Sequence, residues 1–114
     1  MFKIEIKNLK IKTKIGVTTK ERKKSQLLLV SFSFHYKVPS RVNVDNIKYL
    51  KNYSTIIKFL RNNIKNSNHK TLESLILDCI KKLRKEFKLK NVSLVINKAE
   101  VAKKYECDSL SVSK

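Results

Sequence analysis

The stretch QLLLVSFSFHYKVP, residues 26–39, carries the most regular pattern in the chain. Apolar side chains occupy every second position from Leu28 to Val38, and polar residues alternate with them from Ser31 onward. A period of two is typical of a strand with one buried face. Pro39 ends the pattern, because proline cannot donate to a strand ladder. We therefore predict a long, half-buried strand that begins at Gln26.

The segment before this strand predicts its partner. Apolar residues alternate with charged ones from Phe2, and the apolar series continues to Ile15, so we predict a first strand that ends near Gly16. Residues 18–25 are polar and are predicted to form a loop. The two strands should therefore pair in an antiparallel manner.

The segment after the long strand predicts two helices and two more strands. Apolar residues recur every three or four positions from Tyr53 to Ile64, and again from Leu72 to Phe87. Residues 40–51 and 66–68 are read as connections. Residues 92–98 alternate as a strand that ends at Lys98, and residues 110–112 form the last strand.

The order ββααββ predicts a single α+β domain over residues 1–114, with two helices on one face of a four-stranded antiparallel sheet. The two edges of such a sheet are unpaired backbone, which is a liability unless another chain covers them. Pairing these edges between subunits would build a larger closed barrel. We therefore predict a homo-oligomer with sites at its subunit junctions.

Composition limits the class of function. The formal net charge is +18, from 27 basic and 9 acidic residues, which could attract nucleic acid. The basic residues are mostly lysines spread along the whole chain, whereas specific recognition of nucleic acid usually depends on arginine. A bias toward Lys, Asn and Ile explains the charge equally well, so a basic nucleic-acid-binding module stays the alternative and no specific nucleic-acid partner is predicted.

Two further features bear on the compartment. No apolar run approaches the roughly 20 residues that a membrane helix needs, so no membrane association is predicted. Cys79 and Cys107 lack metal-ligand spacing, so we expect a reducing, cytoplasmic environment and no metal site.

One carboxylate occupies an unusual position. Glu73 falls in the first turn of the second predicted helix, on the same face as Ile76, Leu77 and Ile80. A carboxylate on an apolar face needs a partner or a ligand. Alternatively, Glu73 is half exposed and only complements the positive end of the helix macrodipole.

A set of residues in order resembles the dihydroneopterin aldolase family. Ile15-Gly16-Val17 leads to Glu21 and then Gln26, Asn52-Tyr53 opens one helix, Thr71-Leu72-Glu73 opens the next, and Lys98 ends the third strand. The resemblance runs from about Ile4 to Val112. It implies the tunnelling fold, in which subunits join their sheets into a barrel, as a tetramer or octamer.

The resemblance implies a reaction without cofactor or metal. The family cleaves 7,8-dihydroneopterin by a retro-aldol reaction to 6-hydroxymethyl-7,8-dihydropterin and glycolaldehyde, in folate biosynthesis. Glu73 matches the residue that binds the amino and ring N–H groups of the pterin, beside the backbone of Leu72. Lys98 matches the general acid/base, Tyr53 the group that protonates the intermediate, and Glu21 the carboxylate that holds Lys98 and the substrate side chain. Gln26 matches a supporting position.

One position departs from the family pattern. The family usually has proline after the catalytic lysine, where this chain has Ala99. The sister enzyme, dihydroneopterin triphosphate 2'-epimerase, often lacks that proline and resembles this chain from Lys104 to Ser109. Epimerisation would use the same site, so it is the nearest alternative activity. A degenerate member that only binds pterin or only assembles is a third possibility.

Overall fold

A computed structural model describes residues 1–47 and 51–114. Four strands and four helices follow one another in these residues. In chain order they are β1 (Phe2–Thr13), α1 (Thr19–Arg22), β2 (Gln26–Tyr36), α2 (Tyr53–Lys65), α3 (Leu72–Phe87), β3 (Lys90–Lys98), α4 (Ala99–Lys104) and β4 (Ser111–Ser113).

The strands form one antiparallel sheet in the order β1-β2-β3-β4. Each strand pairs with its neighbour in sequence, which confirms the predicted four-stranded antiparallel sheet and the predicted pairing of its first two strands. β2 buries every second side chain from Leu28 to Tyr36, which confirms the predicted face of the long strand. β1 and β4 are the edges, and β4 is only three residues long.

A β-bulge keeps the apolar residues of β1 on one face. Ile6 pairs with Phe32 and Leu9 with Val30, so two residues of β1 stand opposite the single residue Ser31. Asn8 in the bulge has φ 56°, and its N–H donates to Ser31 Oγ at 2.9 Å. An extra residue shifts the side-chain alternation by one position. The buried positions therefore change from even to odd numbers along β1 without leaving the core face.

The helices α2 and α3 cover one face of the sheet. Ile56, Leu60 and Ile64 of α2 are buried, as are six residues of α3. The side-chain oxygens of Asn52 and Thr71 accept from the third residue of each helix, so both helices begin with an N-cap, at the predicted positions. These side chains and the inner face of the sheet form one core cluster.

Two short helices were not predicted. Residues 18–25 contain α1, so the prediction of a loop there is wrong, and α4 lies between β3 and β4. A helix of one turn carries no periodic pattern: α1 buries no residue, and α4 buries only Ala102. The Thr18 hydroxyl, which accepts from the Glu21 N–H, is the local signal that starts α1. Part of the predicted connection 40–51 lies outside the described residues.

Candidate functional site

One end of the sheet gathers most of the predicted site residues. Gln26 begins β2 opposite Thr13 at the end of β1, and Lys98 ends β3 opposite Leu28. The Thr13 hydroxyl also donates to the Ile64 carbonyl at 3.2 Å, which holds the end of α2 against this end of the sheet. We call this region the Lys98 end of the molecule.

The start of α3 lies at the same end. α3 finishes at Phe87, Lys88 adopts the left-handed conformation with φ 53°, and β3 begins at Lys90. Since this turn is so short and α3 packs on β3, the strand runs back along the helix. The last residue of β3 therefore lies near the first turn of α3, which carries Leu72 and Glu73.

Lys98 and Glu21 form the central pair of this end. Lys98 Nζ lies 4.0 Å from Glu21 Oε2, and the side chains are 14% and 43% exposed. This separation is too long for a direct hydrogen bond, so both groups keep hydrogen-bonding capacity for a third molecule. The structure thus brings together the predicted acid/base and its predicted carboxylate, which lie far apart in sequence.

Secondary structure fixes the backbone of Lys98 on both sides. β3 ends at Lys98, α4 begins at Ala99, and the Lys98 N–H donates to the Leu110 carbonyl at 2.8 Å. Ala99 thus occupies the first position of a helix, where proline is also favoured. The start of α4 therefore constrains the chain at the point where the family usually has proline.

Glu21 depends on the single glycine of the chain. Ideal placement of a Cβ on Gly16 would put it in collision with Glu21 Cβ and 2.9 Å from Glu21 Oε2. Because Gly16 lacks this atom, α1 can fold back over the end of β1. The need for glycine here comes from this close approach, since its φ lies outside the left-handed region.

Gln26 holds the same loop from the opposite side. Its side-chain amide donates to the Ile15 carbonyl at 2.5 Å, next to Gly16. Glu21 and Gln26 also line one cleft of about 480 Å³, together with Glu100 and other residues of α4 and with lysines in and after α1. Gln26 thus positions the segment that presents Glu21, and its side-chain oxygen remains available to a ligand.

Glu73 is more exposed than the sequence pattern indicates. Leu72, Ile76 and Ile80 are buried, but Leu77 is 53% exposed and Glu73 lies on the exposed side of the helix. The expectation of a continuous apolar face around Glu73 is therefore wrong for a single chain. Among the described residues the Glu73 carboxylate has no ion-pair partner.

Tyr53 lies at the opposite end of the molecule. It begins α2 and is 59% exposed, so it is not a core aromatic residue. Lys51, two residues earlier, donates to the Phe87 carbonyl at 3.0 Å, which places the start of α2 beside the end of α3. A helix rises about 1.5 Å per residue, so Phe87 lies about 20 Å from Glu73 along α3. One chain does not bring Tyr53 to the Lys98 end.

A polar cluster beside Glu73 was not anticipated. His69 Nδ1 lies 2.7 Å from Ser74 Oγ, and its Nε2 lies 3.5 Å from Asp78 Oδ2. Burial acts to raise the pKa of Asp78, but hydrogen bonds from Lys82, Asn63 and His69 hold it below its usual value. Ser74 and Asp78 are four residues apart on one helix face, which is the signal that could have linked them to His69.

Cys79 is not a candidate for catalysis. Cys79 is fully buried, and burial raises the pKa of its thiol to about 11, so it stays protonated near neutral pH. Cys107 is exposed and lies near the end of α4. Within residues 1–47 and 51–114, no His, Cys, Asp and Glu side chains group so as to hold a metal ion.

The helices also bear on membrane insertion. Among the residues that the structure describes, none of the helices has the length and apolar character required to cross a bilayer.

The fold and the Lys98 end define an α+β domain of the tunnelling-fold class. The family model for dihydroneopterin aldolase (FolB) matches residues 4–113, nearly the whole chain. The chain therefore belongs to the dihydroneopterin aldolase family, which is a family of enzymes. This result confirms the resemblance stated above.

Some of the similar proteins are named epimerases and others are named aldolases. A protein of Escherichia coli K12 named dihydroneopterin triphosphate 2'-epimerase is 24% identical over 110 residues, covering 96% of this chain and 92% of its own. The crystal structure of E. coli dihydroneopterin aldolase in complex with neopterin matches with a TM-score of 0.83 at 17% identity, covering 100% of this chain and 99% of its own. Burkholderia dihydroneopterin aldolase bound to guanine matches with a TM-score of 0.78 at 14% identity, covering 99% and 88%. These structures confirm the α+β fold.

Proposed function

We propose that this chain catalyses retro-aldol cleavage of the side chain of a 7,8-dihydroneopterin, at a site shared between two subunits. The observation that carries the proposal is the Lys98–Glu21 pair at the same end of the molecule as the unpaired Glu73 carboxylate. Family membership, and the neopterin and guanine bound in two similar structures, support a pterin as the ligand.

Glu73 would anchor the pterin. Its carboxylate can accept hydrogen bonds from the amino group and the adjacent ring N–H, and such paired charge-assisted bonds orient a planar ligand. The backbone of Leu72 would bind the same ring edge. Since Glu73 is exposed in a single chain, a neighbouring subunit would have to cover the rest of the pterin.

Lys98 and Glu21 would act on the substrate side chain. Lys98, through a water, accepts the proton of a side-chain hydroxyl, the adjacent C–C bond breaks, and its electrons pass into the ring imine. Glycolaldehyde leaves with the new C=O bond. Protonation of the remaining carbon by the hydroxyl of Tyr53, supplied by a neighbouring subunit, then gives the 6-hydroxymethyl product. The dihydropterin itself accepts the electrons, so these residues need only move protons.

The epimerase activity is the second candidate, and the names of the curated relatives favour it. After the same cleavage, the aldehyde would rotate in the site. The C–C bond would then form again on the other face of the aldehyde carbonyl, which inverts the configuration of that carbon. The two activities thus differ in whether the aldehyde escapes before the bond forms again. The family is one of enzymes, which favours both over a nucleic-acid-binding module.

One incubation tests both candidates. Purified protein is mixed with 7,8-dihydroneopterin or with its triphosphate, and the products are separated by chromatography. Without added metal, an aldolase is expected to release glycolaldehyde from dihydroneopterin and the triphosphate ester of glycolaldehyde from the triphosphate. An epimerase is expected to give a product of unchanged mass with inverted configuration. Failure to convert either substrate, in a protein that is folded and assembled, would contradict the proposal.

Assembly of the site from two subunits leads to a complementation test. Tyr53→Phe and Lys98→Ala proteins should each be nearly inactive, whereas oligomers mixed from both regain about a quarter of wild-type activity, because some junctions combine two intact residues. The proteins are denatured together, refolded and assayed against each variant refolded alone. If mixing restores no activity although mixed oligomers form, Tyr53 and Lys98 do not act across a junction.

A further inference from the structure

A second cleft adjoins the proposed site and differs from it in charge. Its volume is about 770 Å³, and its basic lining residues are Lys12, Lys14, Arg22, Lys65 and His69. The other five lining residues are Thr, Ser and Asn. Every lining side chain can therefore donate a hydrogen bond, and none is a carboxylate. We call this the basic cleft.

The positive charges of the basic cleft are not neutralised within the described chain. Lys12, Lys14 and Lys65 form no ion pair there. Arg22 donates to the Gly16 and Val17 carbonyls at 3.0 and 2.9 Å, so its guanidinium is held in place by neutral acceptors. Four like charges around one concavity create a positive potential that favours a multiply charged anion.

The basic cleft is continuous with the proposed site on two sides. Ser25 lines both this cleft and the cleft that contains Glu21 and Gln26, so the two meet. On the other side, His69 contacts Ser74, the neighbour of Glu73. A ligand placed between Glu73 and the Lys98–Glu21 pair therefore has the basic cleft within reach of its side chain.

We propose that the basic cleft binds the phosphate tail of a phosphorylated dihydropterin, and that it makes this the preferred substrate. This inference rests on the proposed function. The adjoining cleft is lined by Lys20, Lys24 and Lys104, but Glu21 and Glu100 offset most of their positive charge. The basic cleft has no carboxylate in its lining, so it is the better place for phosphate. Lysine ammonium groups suit a polyphosphate because they bind as flexible point charges rather than in one fixed geometry.

Equilibrium binding separates this inference from catalysis. Neopterin and neopterin triphosphate are titrated into the full-length protein and followed by pterin fluorescence. We expect wild-type protein to bind the triphosphate more tightly. The Lys14→Ala/Lys65→Ala variant should lose about tenfold in affinity for the triphosphate and little for neopterin, because charge-assisted hydrogen bonds to phosphate disappear. Both lysines are exposed and unpaired, so the variant should keep its fold.

The matched control is Lys37→Ala/Lys58→Ala, which removes the same charge from exposed lysines outside the cleft. An equal loss in the control would assign the effect to net charge and overturn the proposal. Equal affinity of wild-type protein for the two ligands, or an equal loss for both in the cleft variant, would also overturn it. A protein that binds as expected but converts neither dihydropterin would contradict the proposed function and leave the basic cleft as a binding site. Failure to bind either ligand would contradict both.

Discussion

Replacement of Lys98 by alanine should lower kcat by about 10²–10⁴-fold, the usual contribution of a positioned proton-transfer group. The Lys98 ammonium lies 4.0 Å from the Glu21 carboxylate, and the Lys98 side chain is only 14% exposed. The affinity for pterin should change little, because Glu73 supplies the proposed ring contacts. Turnover of dihydroneopterin and equilibrium binding of neopterin measure the two effects separately.

Two further variants test whether the loss of activity in Lys98→Ala comes from a disturbed structure. Lys98→Met keeps most of the buried stem and removes only the ammonium, so it should be as inactive as Lys98→Ala while folding normally. Lys90→Ala removes an exposed lysine from the other end of β3 and should keep wild-type turnover. Full activity in Lys98→Met would exclude Lys98 as the acid/base.

Replacement of Glu73 by glutamine or alanine should weaken pterin binding by about 100-fold or more. Two charge-assisted hydrogen bonds, each contributing about 1.5–3 kcal/mol, are lost in the alanine variant, and partial exposure reduces that value. Glutamine can accept only one of the two bonds with its oxygen, and its amide group repels the other donor. The affinity for neopterin, measured by fluorescence titration, is the readout.

Glu86→Gln provides the control, because Glu86 lies on the same helix at its other end and is also exposed. Its variant should bind neopterin as the wild type does. Unchanged affinity in Glu73→Ala would mean that Glu73 only complements the helix macrodipole, which was the alternative at the sequence level.

The elements of the core could be predicted because periodicity reports which face of an element is buried. The period of two in β2 and the helical spacing in α2 and α3 both agree with the buried positions. The bulge at Asn8 did not prevent the prediction of β1, because the sequence itself shows the apolar residues changing from even to odd positions there. α1 and α4 were missed because a single turn with few buried residues leaves no period to read.

The candidate site was only partly predictable. The residue types and their order pointed to Glu21, Gln26, Glu73 and Lys98 through the family resemblance. Their joint location depends on strand register and helix direction, which pair Lys98 with Leu28 and place the start of α3 at the same end. His69 illustrates the limit, since its contacts with Ser74 and Asp78 form only when the turn before α3 folds back on the helix.

By itself, the sequence determined the α+β order, the buried faces and the residues worth testing, because each of these follows from local patterns along the chain. Only the tertiary structure decided which of those residues meet. It brought Lys98 to Glu21, left Tyr53 at the far end, and joined Lys14, Arg22 and Lys65 around one cleft. The physical reason is that distances between remote residues are set by pairing and packing, which no local pattern encodes.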